Sequence, residues 1–243
     1  MRNFLFAFLT ILLLVLSFPT DLQAGEEPAP PQVVIYMIDK LDYKDLNPKV
    51  TPNLWAMQNK AGLGLLNTLC AGERTSKNVP CTISAGKLAV GSSNADLNFK
   101  ANEIIKGEKA GDIFFRNTGL LPVDHNIVIN GIEAIRKNNQ NRDLGTPGQL
   151  GDELHALGLK TAVIGNADLP GYYSRPGALI VMDSRGIVDN GLLGREVVEK
   201  SSPLPLSSNY NAILQAYWDF SNYDVVLIDF GDLARLDRLQ SLL

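Results

Sequence analysis

The feature that most constrains this chain is Val33-Val34-Ile35-Tyr36-Met37-Ile38, six apolar residues in a row closed by Asp39. An unbroken apolar run of this length, rich in β-branched residues, reads as a strand covered on both faces, the kind found in parallel sheets. Later segments repeat the theme: Thr161 to Gly165, Ala178 to Met182 and Val225 to Ile228 are short apolar runs, followed closely by Asp168, Asp183 and Asp229. Helical patterns lie between them, one through Leu150, Leu154 and Leu157 that stops at Gly158, and one from Asn211 to Phe220. This alternation predicts an α/β domain with a mostly parallel sheet and helices on both faces. Ligands bind at the carboxyl ends of the strands in such sheets. Asp39 stands at that edge, as a hard ligand for a divalent metal or as a turn residue. Asp168, Asp183 and Asp229 read as strand-end caps or turn residues that could line the same crevice.

A length of 243 residues suffices for one large domain with its own core. The net charge of -4 offers no basic face, so nucleic acid is not an expected partner. No internal repeat, Gly-x-Gly-x-x-Gly or Walker motif is present. Residues 1–24 read as a cleaved secretory signal: Arg2, an apolar run of 15 residues from Phe4 to Phe18, then Leu22-Gln23-Ala24. The run is shorter than the roughly 20 residues that span a bilayer. Uncleaved, it would act as an anchor and bring the chain into membrane contact. Residues 25–32, with Pro28, Pro30 and Pro31, read as a stiff linker. The expected location is therefore outside the cytoplasm: secreted, periplasmic or in the cell envelope. A disulfide between Cys70 and Cys81 is permitted there, with two free thiols as the alternative.

Thr51-Pro52-Asn53 opens a helix, with Thr as cap and Pro at the first helical position, and Leu54, Met57 and Ala61 continue it to Gly62. Gly64 to Thr68 reads as a second strand leading into Arg74-Thr75-Ser76-Lys77 and a helix that runs to Gly86. A hydroxyl at such a helix start faces unpaired N–H groups that favour an anion, a place from which to attack a phosphate or sulfate ester. The plain alternative is an ordinary N-cap.

A strand ending in Asp39, then Thr51-Pro52-Asn53-Leu54, then Gly62 and a strand, then a hydroxyl about ten residues before Gly86, resembles the opening of the alkaline phosphatase superfamily. That group includes phosphodiesterase/nucleotide pyrophosphatases, sulfatases and cofactor-independent phosphoglycerate mutases. The likeness spans Val33 to Gly86 and departs at Lys40, where many members carry Gly. It implies that Asp39 is a metal ligand and that Ser76, or Thr75 beside it, is the nucleophile. It further implies two divalent ions, zinc or manganese, and a small-molecule or polymer ester as substrate.

Two ions need several Asp and His ligands, and this chain has only His125 and His155. His155 reads as a surface position on a helix. Where relatives place a His four residues after an Asp, Leu233 and Leu236 follow Asp229 and Asp232. Leu236 to Leu243 reads as a helix that begins and stops, so residues 33–243 are expected to be the N-terminal portion of a larger domain, inactive as given. Residues 92–145 read as a cap-like insertion over the site or as a peripheral helical layer. The rival function is a non-catalytic exported protein that keeps the fold for binding or envelope interaction.

Overall fold

A computed structural model describes residues 32–64, 66–202 and 204–241; the signal at 1–24 and the linker up to residue 31 lie outside the described residues. In chain order the elements are β1 (Val33–Ile38), a 3-10 turn at Tyr43–Asp45, α1 (Pro52–Gln58), α2 (Asn78–Ala85), β2 (Asn98–Lys100), β3 (Ile104–Ile105), β4 (Glu108–Lys109), α3 (Ala110–Thr118), β5 (Ile127–Ile129), α4 (Ile132–Gln140) and α5 (Gln149–Ala156). They continue with β6 (Thr161–Asn166), α6 (Ala178–Val181), β7 (Ile187–Val188), β8 (Asn190–Leu192), a 3-10 turn at Arg195–Val197, β9 (Val198–Glu199), β10 (Ser207–Ser208), α7 (Tyr210–Asp219), β11 (Val225–Phe230) and α8 (Asp232–Gln240). Among the described residues, no helix is long and apolar enough to cross a membrane.

The fold is α/β. Its main sheet has the order β1-β11-β6-β8, and every neighbouring pair is parallel. Side chains alternate across it. Ile35, Met37, Val163, Val225 and Leu227 face the larger core, which α6 and α2 help to close. Val34, Ala162, Ile164, Val226 and Ile228 face a smaller core under α7, with Ile213 and Ala216. Both faces of β6 and β11 are thus buried, which is why their sequences lack polar alternation. Each such aliphatic side chain contributes roughly 1.5–3 kcal/mol by leaving water.

β1 forms as expected but lies at the edge of the sheet, so it is only partly covered; Val33 and Tyr36 are each 55% exposed. Gly64 to Thr68 is not a strand: its described residues are irregular, and β1 takes β11 as its neighbour instead. Ala178 to Met182 is the helix α6 rather than a strand. A short, fully buried apolar run carries no period that tells helix from strand, and Pro176-Gly177 starts this one as a helix. α1 begins at Pro52 as expected, but Thr51 does not cap it. The Thr51 hydroxyl donates instead to the Asp45 carbonyl at 2.7 Å. α1 ends at Gln58, short of Ala61, and buries none of its side chains.

Both cysteines are free, so no bridge braces the loop between them. Cys81 is buried, and that burial pushes its thiol up to about 12. Residues 92–145 form much of the interior. They supply β2 and β5 of the antiparallel sheet β2-β5-β7, and Phe99, Phe114, Ile129, Ile132 and Ile135 of the larger core.

Candidate functional site

Three acids gather at the carboxyl edge of the parallel sheet. Asp229 is in the last turn of β11's register, Asp39 directly follows β1, and Asp168 lies two residues beyond β6. Met37 is Asp229's partner across the β1–β11 ladder, and Asp39, in the turn two residues on, lies close enough for its charge to bear on Asp229. Asp229 is 2% exposed, and its Oδ2 has no hydrogen-bond partner among the described residues. Burial pushes its carboxyl up to about 7; the Gly177 amide and Arg235 work against the shift, while the charges of Asp39 and Asp168 add to it. A Cβ at Gly177 would come within 2.8 Å of Leu227 Cδ2 and 3.2 Å of Asp229 Oδ2, so the glycine leaves room beside the carboxylate.

Asp39 is half-buried, and its Oδ1 accepts the Lys40 amide at 3.1 Å. Lys40 adopts a φ of 61°, in the left-handed region. The backbone at the position where the resembled family carries Gly thus takes the conformation that favours Gly.

Asp168 is tied down where Asp229 is not. Arg175, 1% exposed, donates from Nε and Nη2 to Asp168 Oδ2 at 3.0 and 2.9 Å. The same guanidinium grips Glu103 at 2.8 and 3.1 Å and lies against the rings of both Phe99 and Tyr173, 4.8 and 5.2 Å from their centroids. Burial pushes the Asp168 carboxyl up, and Arg175 opposes that shift. Arg235, wholly buried on α8, reaches the Asn166 carbonyl at 2.6 Å, the Asp168 carbonyl at 3.0 Å and Asp232 at 2.7 Å. It anchors α8 to the end of β6. Sequence reading passes over both arginines, because nothing in their spacing separates a buried clamp from a surface charge.

Thr75 and Ser76 precede α2 and play different parts. Thr75 Oγ1 accepts the amides of Lys77 at 3.3 Å and Asn78 at 3.1 Å, so it is the capping hydroxyl. The Ser76 hydroxyl is on an exposed residue and makes no hydrogen bond among the described residues. Lys77 pairs with the buried carboxylate of Asp96 at 3.2 Å, and the Arg175 amide donates to the Asp96 carbonyl at 3.0 Å. α2 also packs on α6, which rests on β11. These contacts bring the first turn of α2 to the carboxyl edge, on the Asp229 face. No hydrogen bond joins Asp39 to Thr75 or Ser76 among the described residues, and the strand expected to deliver the loop is absent.

The remaining expected residues lie elsewhere. His155 stands on its helix with a side chain 22% exposed, and its ring is also engaged: Nε2 is 2.9 Å from Asp189 Oδ2 and Nδ1 3.6 Å from Asp183 Oδ2. Asp189 also accepts the amide of Thr161, the first residue of β6, which puts this cluster at the amino edge, opposite Asp229. Asp183 belongs to that cluster and is not a lining residue of the carboxyl edge. His125 is exposed in the loop before β5. Among the described residues, no three His, Cys, Asp or Glu side chains are arranged to hold a metal ion. No family model, curated protein or solved structure matches the chain.

Proposed function

We propose that the protein is an exported, hydrolase-like relative of the alkaline phosphatase superfamily. Its site is the carboxyl edge of the sheet, and its substrate is a phosphate, phosphodiester or sulfate ester. The observation that carries this reading is the buried, unpartnered Oδ2 of Asp229 beside Asp39, on the face where the start of α2 arrives. Ser76 is the better nucleophile, since the Thr75 hydroxyl is already engaged by two amides. The first turn of α2 has no N–H group to spare for the ester's anionic oxygens: Asn78 and Val79 donate to Thr75, and Pro80 has none.

Asp39 and Asp229 would be the donors to one hard divalent cation. They do not fit a second ion of the kind the resemblance implies, because His155 is engaged at the opposite edge. A bound cation would make a hydroxyl easier to deprotonate and polarise the ester oxygen. The placement of His155 also favours a second reading, an exported binding protein that keeps the fold without turnover.

Calorimetric titration with manganese or zinc, and assays with p-nitrophenyl phosphate, bis-p-nitrophenyl phosphate and p-nitrophenyl sulfate, separate these readings. Cation binding should disappear in Asp39→Asn and in Asp229→Asn. Binding that survives both substitutions would remove the site. Turnover that is lost in Ser76→Ala and kept in Thr75→Ala supports the hydrolase. Cation binding with no turnover of any ester supports the binding protein.

A further inference from the structure

We infer that the free edge of β1 is a dimerisation surface, on which a second copy of this chain pairs its own β1 antiparallel across a two-fold axis. The Val33 amide donates to the Asp224 carbonyl at 2.8 Å. Backbone groups alternate sides along a strand, so Val33, Ile35 and Met37 bond toward β11, and Val34, Tyr36 and Ile38 turn their N–H and C=O groups outward. Nothing among the described residues pairs with that side. Soluble proteins blunt such edges with a charge, a proline or a bulge, and none of these occurs between Val33 and Ile38.

An apolar patch continues from the edge over the α7 face of the sheet. The Tyr36 and Tyr210 rings both lie against Phe230, at 5.9 and 6.0 Å between centroids. Tyr210, Leu214 and Trp218 recur at helical spacing along α7 and are 56%, 54% and 60% exposed. With three large rings about half bare, the patch presents on the order of 400–500 Å². That lies within the roughly 300–600 Å² of the largest patch on a typical monomer, a size often tied to function. The backbone and side chains of a six-residue strand bring it toward the roughly 800 Å² per partner of a stable dimer.

A second strand is the occupant whose N–H and C=O groups can replace water along that edge, which a lipid surface cannot. A second copy meets the requirement without conflict. With Tyr36 on the axis, Tyr36 meets its own counterpart and Val34 meets Ile38, for about six backbone hydrogen bonds. Lys40 then falls opposite Gln32 and Asp39 opposite Val33, so no like charges face each other. The pairing would merge two four-stranded sheets into one, with both α7 helices on the same side.

Size-exclusion chromatography with light scattering on the full chain, in mild detergent that masks the common N-terminal run, tests this. Wild type should be a dimer. Tyr36→Pro deletes an outward N–H together with the Tyr ring, leaving the ladder to β11, and should weaken the dimer at least roughly tenfold. Tyr36→Ala keeps the N–H and should weaken it less. In a Cys70→Ser background, Tyr36→Cys should form a covalent dimer under mild oxidation. The Cα separation of about 5.5 Å in such a pair lies within the disulfide range, while Leu121→Cys, equally open to solvent, should not cross-link. A monomeric wild type, a Tyr36→Pro protein as dimeric as wild type, or no selective cross-link at position 36 would each overturn the proposal. The cross-link decides the matter if the proline variant does not fold.

Discussion

Two buried acids at opposite ends of the parallel sheet, Asp183 and Asp229, are treated in opposite ways. At the amino edge, Asp183 accepts the Ile187 amide at 3.0 Å and Arg185 at 2.7 Å, and Asp189 takes His155 and the Thr161 amide. Every carboxylate there has partners and holds a loop in place. At the carboxyl edge, Asp229 is equally buried, yet one of its oxygens has no partner among the described residues and two further acids bear on it. Burying a polar group without a bond costs on the order of 1–3 kcal/mol. Among the described residues Asp229 is the one carboxylate with such an orphaned buried oxygen, which sets it apart from Asp183 and Asp189.

The largest test of this contrast is Asp229→Asn. The folded carboxyl titrates near 7, above the 3.8 of the free group. Below the lower value both folded and unfolded chains are protonated and no penalty exists. As pH rises between the two values, the unfolded chain ionises first, binds fewer protons than the folded one, and stability falls. Above the folded value the loss is complete. Denaturant unfolding in chelator should therefore show wild type losing roughly 2–4 kcal/mol between acid and mildly alkaline pH, with Asp229→Asn lacking that decline. An Asn variant less stable than wild type at alkaline pH would mean the carboxylate has a partner and the contrast is false.

Asp183→Ala should go the other way and destabilise by about 2 kcal/mol, because it strands the Ile187 amide and frees Arg185. The same melts read it. A neutral result would make the amino-edge cluster ornamental.

Thr75 and Ser76 carry the contrast to α2. Loss of the cap in Thr75→Ala should cost about 1 kcal/mol, and Ser76→Ala should stay within about 0.5 kcal/mol. Equal losses would mean that both hydroxyls serve the fold and that neither is reserved for chemistry.

How much of this was legible in the sequence follows from what periodicity can encode. β6 and β11 declare themselves through unbroken apolar runs bounded by turn residues, and α5 and α7 through helical spacing. α6 does not, because a buried four-residue helix and a buried strand are equally apolar. Gly64 to Thr68 has a strand's composition but no neighbour to pair with, a fact settled by the distant β11. The position of Asp39 and the start of α2 could be read locally. That Asp229 lacks a partner while Arg175 occupies Asp168 depends on packing among segments far apart in sequence.

The smallest effect concerns Lys40, where β1 leaves the sheet at its carboxyl edge. A left-handed backbone costs a residue with a side chain roughly 1–2 kcal/mol, and Gly escapes this but gives up about 0.5–1 kcal/mol of chain entropy. The Lys40 ammonium also reaches Asp237 on α8 at 3.3 Å, with both side chains 55% exposed. An ion pair that open to solvent contributes little and is screened by salt. Lys40→Gly should therefore change stability by no more than about 0.5 kcal/mol, on the favourable side at high salt. Lys40→Ala keeps the strained backbone and loses the pair, so it should fall below wild type at low salt and approach it at high salt. If Lys40→Gly is instead clearly less stable than wild type at low salt and recovers at high salt, the pair with Asp237 holds α8 to β1 and adds to the ion pairs of Arg175 and Arg235 at the carboxyl edge.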